Sequence, residues 1–337
     1  MPAIAITSTS HFHVFVEHLV RQKFQVNNSN FDVGLPVNYL CSEGNDKGYK
    51  IATSLLGHSI LKMSVHTNEP SLGWCVGEAA GHEQLLYSID KQEALQGKTL
   101  KAVLKKVCQL MRADHNGVTV FIMEEGNSLE FCLAGDQFKQ NGGRQLEQYY
   151  LAMMLDLVDR VLGVTKCSMN YIRIQAAELL SVNLSGKKVI ANQFFSSIAI
   201  PKRFIYRPNA LTQNESLPIV RGMPQHMLII NEVVANNRFL VNLCEVLYPY
   251  LGGTMPTIAF ISQLSGMSVR SFQRYLKSQG FVYSQLLLDL KLATAQFMFV
   301  EEKRSVAEVA GLLGYPYPNH LSRAFKMRYG VTPKQIM

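Results

Sequence analysis

The stretch Phe272-Gln-Arg-Tyr-Leu-Lys277 recurs 49 residues later as Leu321-Ser-Arg-Ala-Phe-Lys326, and each copy runs on to a glycine, Gly280 or Gly330. Ahead of each copy lie a short apolar run and a turn glycine, Gly266 or Gly314. A small residue, Ser262 or Ala310, stands four positions before that glycine. A helix-turn-helix needs this set. The small residue lets two helices cross closely, the glycine permits the tight turn, and the later apolar side chain plugs the second helix onto the first. The plug Leu321 comes one residue later after its glycine than Phe272 does, so the second turn should be one residue longer.

On a helical wheel Phe272 and Leu276 face inward, which leaves Arg270, Gln273, Arg274 and Lys277 outward. In the second copy Leu321 and Phe325 face inward, with Asn319, His320, Ser322, Arg323 and Lys326 outward. Arg and Gln have the bidentate geometry that meets base edges, chiefly guanine for Arg and adenine for Gln. Arg270, Gln273 and Arg274 are therefore expected to read bases in one major groove of double-stranded DNA, and Asn319, His320 and Arg323 in the next. Ser268, Lys277, Ser322 and Lys326 are candidates for phosphate contacts, which position a protein without specifying sequence. A solvated polar face is the competing account of either helix alone. Two equivalent faces in tandem favour DNA.

Working outward, residues 257–264, 269–278, 283–300, 306–313 and 319–329 each carry an apolar stripe at helical spacing, for instance Leu286, Leu290, Ala293 and Phe297. Ser268 can cap the second of these helices, and Ser305 with Glu308 forms an S-x-x-E capping box ahead of the fourth. Another helix is expected over residues 237–251, stopped by Gly252-Gly253. These elements define an all-α C-terminal domain over residues 236–337. Residues 1–235 read as α+β: helical patterns at 99–111 and 145–162, a hairpin pairing 118–124 with 128–133, and short apolar runs at 171–174 and 194–200. Four prolines between 201 and 224 mark an irregular segment leading out of this domain.

The charge follows the same division. The chain of 337 residues carries a formal +8, yet residues 236–337 hold 11 Lys and Arg against 5 Asp and Glu, whereas residues 1–235 hold 22 against 20. A basic segment on a near-neutral body suits an anionic polymer, although charge alone is equally met by a solvated surface. With 47% hydrophobic and 17% charged residues, the chain has ample material for a core and too little charge for disorder. The run at 284–300 is broken by Asp289 and Lys291, so no membrane span is expected, and the first ten residues lack the features of a signal peptide, which suggests the cytoplasm. The six cysteines lie tens of residues apart and read as free, buried thiols rather than metal ligands.

Catalytic apparatus is not visible. G-x-S-x-G, P-loop, dinucleotide and H-E-x-x-H motifs are missing from the sequence, and no cofactor or metal is expected. Residues 183–188 are similar to a phosphate loop but lack its first glycine, position 181 being Ser. His11, His13 and His18 have no acidic or Cys companion at ligand spacing. Phe194, Phe195, Phe204 and Tyr206 are open to two accounts, an apolar pocket or ordinary core.

Residues 236–333 resemble the DNA-binding domain of the AraC/XylS family of bacterial transcription regulators. The matching strings are Ile261-Ser-Gln-Leu-Ser-Gly-Met-Ser268, Phe272–Lys277, Ser305-Val-Ala-Glu-Val-Ala-Gly-Leu-Leu-Gly-Tyr315, Leu321–Lys326 and Gly330-Val-Thr-Pro333. The resemblance implies two helix-turn-helix units joined by a long helix, here residues 283–300, with both recognition helices entering major grooves on one DNA face. It also implies promoter DNA and RNA polymerase as partners, and activation. Two positions depart from the family pattern: Pro316-Tyr317-Pro318 stands where a capping Ser, Asp or Glu is usual, and Lys291 where Arg is common. Pro70-Ser-Leu-Gly73, residues 99–111, the 118–133 hairpin and residues 194–201 together are similar to the α+β regulatory domain of the branch containing ornithine-use and virulence regulators. That likeness leaves a small-molecule effector and a purely dimerising role, as a homodimer, both open.

Overall fold

A short strand, β1 (Ile6–Ser8), pairs antiparallel with β2 (Lys50–Ala52), Ile6 opposite Ala52, and each strand runs straight into a helix, α1 (Thr9–Arg21) and α2 (Thr53–His66). The computed structural model describes residues 4–22, 50–87, 98–114, 117–164, 169–177, 188–208, 210, 234 and 237–337. The chain divides into two compact units, one of Asp46–Val220 with Ala5–Leu35 and the other containing Arg221–Met337.

In the first unit α3 (Leu72–Tyr87) and α4 (Leu100–Asp114) precede the hairpin β3 (Thr119–Glu125) and β4 (Ser128–Ala134), after which α5 (Gly143–Leu162) runs through the core. The stripe expected on α4 is buried as read, with Leu100, Val103, Leu104, Val107 and Met111 all at 2% exposure or less. Tyr149, Tyr150, Met153, Leu157 and Val161 of α5 are fully buried. α3 crosses α5 so closely that a Cβ at Gly73 would lie 2.1 Å from the Gln145 carbonyl oxygen, and one at Gly77 2.3 Å from that of Tyr149. Only glycine leaves room for backbones at that separation.

The chain then adds β5 (Tyr171–Arg173), β6 (Lys188–Ile190) and β7 (Ser196–Pro201), giving a five-stranded sheet of order β3-β4-β7-β5-β6 in which only β5 and β6 are parallel. Glu147 of α5 ties helix to sheet. Its buried carboxylate accepts from the Ser196 hydroxyl and from the backbone N–H groups of Gln175 (2.6 Å) and Ala176 (3.2 Å), while burial pushes its protonation upward. On the opposite face of β4, Glu130 is fully buried and accepts from the Ser197 hydroxyl at 2.5 Å and the Tyr171 hydroxyl, with Arg173 Nε at 3.2 Å.

Neither account of the four aromatics near 200 holds for all of them. Phe194 is 98% and Tyr206 73% exposed, whereas Phe204 is buried and Phe195 packs edge-on against Phe121. Phe194 sits in the bend before β7 and Tyr206 in the turn after a 3-10 segment (Lys202–Phe204), so neither follows a strand's alternation. Cys108, Cys132 and Cys244 are free and buried and Cys75 is half-buried; Cys41 and Cys167 lie outside the described residues. His11 is buried and shares a 2.6 Å hydrogen bond with the Tyr149 hydroxyl. Of the stretch 183–188, residues 183–187 lie outside the described residues. Among the described residues no helix is long and apolar enough to cross a membrane.

The second unit is helical: α6 (Arg238–Leu247), α7 (Ile258–Leu264), α8 (Val269–Ser278), α9 (Tyr283–Val300), α10 (Val306–Leu312) and α11 (Pro318–Tyr329). The helix expected over 237–251 stops being α-helical at Leu247 and tightens into a 3-10 turn, Tyr248–Tyr250, around Pro249, which has no N–H to continue the ladder. In α9 the expected stripe is corrected. Leu286 and Leu290 are fully buried, Ala293 and Phe297 only partly, and the buried set continues through Leu292, Ala295 and Phe299. The helix meets different neighbours along its length: Tyr283 packs edge-on against Phe272 of α8, and Phe299 against Phe325 of α11. Its inward face therefore turns from one end to the other. In all, the described residues hold eleven α-helices and a five-stranded sheet.

Candidate nucleic-acid interface

α7 and α8 are joined by the four residues Ser265, Gly266, Met267 and Ser268, with Gly266 in the left-handed region at φ 63° and Met267 N–H returning to the Ser262 carbonyl at 2.9 Å. Ser262, at the crossing, is 1% exposed. Thr257 caps α7 by accepting from Phe260 N–H, and Ser268 caps α8 by accepting from Ser271 N–H. Phe272 and Leu276 are buried as the wheel requires, and Phe272 is held edge-on by Phe239 and Tyr283. Arg270, Gln273, Arg274 and Lys277 stand exposed on the other side. Ser268 is exposed too, though its hydroxyl oxygen is engaged in the cap.

The second pair repeats the arrangement. Ser305 and Glu308 form the expected capping box, Ala310 is buried at the crossing, Gly314 takes φ 70°, and Tyr315 N–H returns to the Ala310 carbonyl at 2.8 Å. The joining residues, 313–317, number five, one more than in the first pair. α11 begins at Pro318, with Tyr317 preceding it and no side-chain cap. Leu321 and Phe325 are buried; Asn319, His320, Arg323 and Lys326 are exposed and Ser322 is half-buried. Tyr317, 64% exposed, sets its ring edge-on to His320 at 5.5 Å. None of Arg270, Arg274, Lys277, Arg323 and Lys326 takes part in an ion pair among the described residues. The acidic side chains Asp289 and Glu308 are engaged elsewhere, so both faces keep their positive charge.

Three connections hold the helices in place. Lys291 of α9 donates from Nζ to the Leu313 carbonyl at 2.9 Å, closing the C-terminal end of α10, and lies 5.5 Å from the Tyr315 ring centroid; burial lowers its affinity for the proton. Asp289, also of α9, is 7% exposed and accepts from Arg328 Nε of α11 at 2.8 Å and from Gln285 at 3.0 Å. Asn237 caps α6 and also donates to Gln279 (2.8 Å) and the Tyr275 hydroxyl (3.2 Å), bracing the back of α8. The wheel did not find these residues. Asp289 and Lys291 carried a signal, being the only charges in an apolar run of 17 residues.

Residues 261–337 match the model of a helix-turn-helix domain family. The helix-turn-helix domain thus takes in most of α7 and everything after it. Similar over part of their length are the HTH-type transcriptional activator CfaD of Escherichia coli (25% identical over 80 residues, 24% of this chain and 30% of CfaD) and the DNA-binding dual transcriptional regulator Rns of Escherichia coli, with the same identity and shares. The virulence regulon transcriptional activator VirF of Shigella flexneri is 28% identical over 76 residues, 23% of this chain and 29% of VirF. The chain spans under a third of the length of these curated relatives.

Proposed function

We propose that this chain is a sequence-specific, DNA-binding transcription regulator of the AraC/XylS type, and that it activates promoters. The observation that carries the reading is the pair of exposed basic and polar faces on α8 and α11, each backed by a buried helix-turn-helix core. Arg270, Gln273 and Arg274 read bases in one major groove and Asn319, His320 and Arg323 in the next, while Ser268, Lys277, Ser322 and Lys326 meet phosphates. α9, 18 residues or roughly 27 Å long, joins the two pairs, and successive major-groove faces lie ~34 Å apart, so one molecule covers about two turns of DNA. The names of CfaD and VirF support activation, and RNA polymerase is the further partner that the resemblance to the AraC/XylS family implies. Residues 1–235 control the DNA-binding domain, residues 236–337, through a small-molecule effector or through dimerisation, and the protein acts in the cytoplasm.

The test is selection of genomic fragments by the full chain at two salt concentrations, followed by sequencing. A recovered motif spanning two turns, with binding that falls steeply as salt rises, is the expected result. Retention of fragments without any shared motif would refute sequence-specific reading.

A further inference from the structure

The near-neutral balance of the first unit hides a concentration of charge. Residues 98–107 hold Lys98, Lys101, Lys105 and Lys106, and residues 202–208 hold Lys202, Arg203 and Arg207, with no Asp or Glu in either stretch. The fold sets the two stretches side by side: Leu100 N–H donates to the Arg207 carbonyl at 3.1 Å, Lys101 N–H to the Ile205 carbonyl at 3.2 Å, and Thr99 bridges to Pro208. Glu124 meets this patch and is shared by Lys101 Nζ at 2.5 Å and Lys202 Nζ at 3.7 Å. Lys105, Lys106, Arg203 and Arg207 are exposed, and among the described residues none of them has a carboxylate partner.

Both arginines lie against one aromatic ring instead. Their guanidinium carbons lie over the Phe204 ring, 4.9 Å and 4.8 Å from its centroid, and Tyr206, between them in sequence, is 73% exposed. A guanidinium over an aromatic ring keeps its charge and its N–H donors, and two such groups on one exposed segment can meet phosphate oxygens. Guanidinium forks, point-charge lysines and a phenol hydroxyl spread along two segments fit a chain of phosphates better than a single small anion.

We propose that this patch, on the first unit, is a second DNA-contacting surface that holds phosphates of the duplex outside the site read by α8 and α11. The inference rests on the DNA-binding reading above. A duplex held by one unit is present at high effective concentration for a basic surface tethered to it, which favours DNA over an acidic protein as the occupant.

The test uses the full chain, a short duplex limited to the selected two-turn site, and a long duplex extending it by two turns on each side. Arg203→Ala/Arg207→Ala should weaken binding to the long duplex roughly fivefold and lower its salt slope by about two, while leaving the short duplex unaffected. Lys105→Gln/Lys106→Gln, which alters exposed helix positions and no packing, should do the same and so separates contact from misfolding. Unchanged binding of the long duplex by both variants, alongside loss of specific binding in Arg274→Ala, would overturn the patch and leave the regulator reading intact. Unchanged DNA binding with lost promoter activation would assign the patch to an acidic protein surface, which also overturns it. Absence of any motif for the unaltered chain would instead remove the reading on which the inference rests.

Discussion

Arg274 and Lys326 occupy related places, exposed on α8 and α11 and without an ion pair among the described residues, yet different effects are expected of them. A guanidinium can pair two donors with the O6 and N7 of guanine, whereas an ammonium on a flexible stem acts as a point charge toward phosphate. Arg274→Ala should therefore cost about 1–3 kcal/mol at one base position and relax specificity there. Lys326→Ala should weaken all sequences alike and reduce the salt slope by about one. Titrations against the selected site, single-position variants of it and random DNA check both. Equal weakening of every sequence by Arg274→Ala would withdraw its base-reading role. Tyr317 belongs at this scale too. Between two prolines it offers α11 no cap, but its ring lies edge-on to His320 at the N-terminal end of that helix.

At the scale of elements, what matters is that α11 is fastened to α9. Arg328→Ala would leave the buried Asp289 carboxylate, among the described residues, with Gln285 as its hydrogen-bond partner, and the expected loss of stability is about 1–2 kcal/mol, less than for a fully buried pair because Arg328 is 45% exposed. Denaturant titration measures it, and affinity for the half of the site proposed for α11 should fall more than for the other half. Unchanged stability would mean the pair is solvated and fastens nothing. The helices themselves were legible because their determinants are local: Ser268, Ser305 and Glu308 cap within three residues, and Gly266 and Gly314 turn the chain where they stand. The fastenings were not, since Lys291 reaches Leu313 and Asp289 reaches Arg328, 22 and 39 residues away, and periodicity reports only a helix's own face. The same limit explains Ala293 and Phe297, whose burial depends on which neighbour lies beside each end of α9.

For the molecule as a whole, the two units differ in how much their sequences disclose. Hairpin β3-β4 could be read from its turn, but the placing of β7 between β4 and β5 pairs Cys132 with Ser197 and Arg173 with Ser197, contacts no local pattern encodes. The reverse holds for charge, where a sum over residues 1–235 concealed a basic patch that only the pairing of residues 99–101 with 205–208 assembles. The central claim concerns the second unit: that α8 and α11 enter successive major grooves on one side of the duplex. Guanine-methylation interference on the selected site, with the full chain, tests it most directly. The account predicts two patches of major-groove interference centred about 10 base pairs apart on one face. A single patch, or two patches on opposite faces of the duplex, would contradict it.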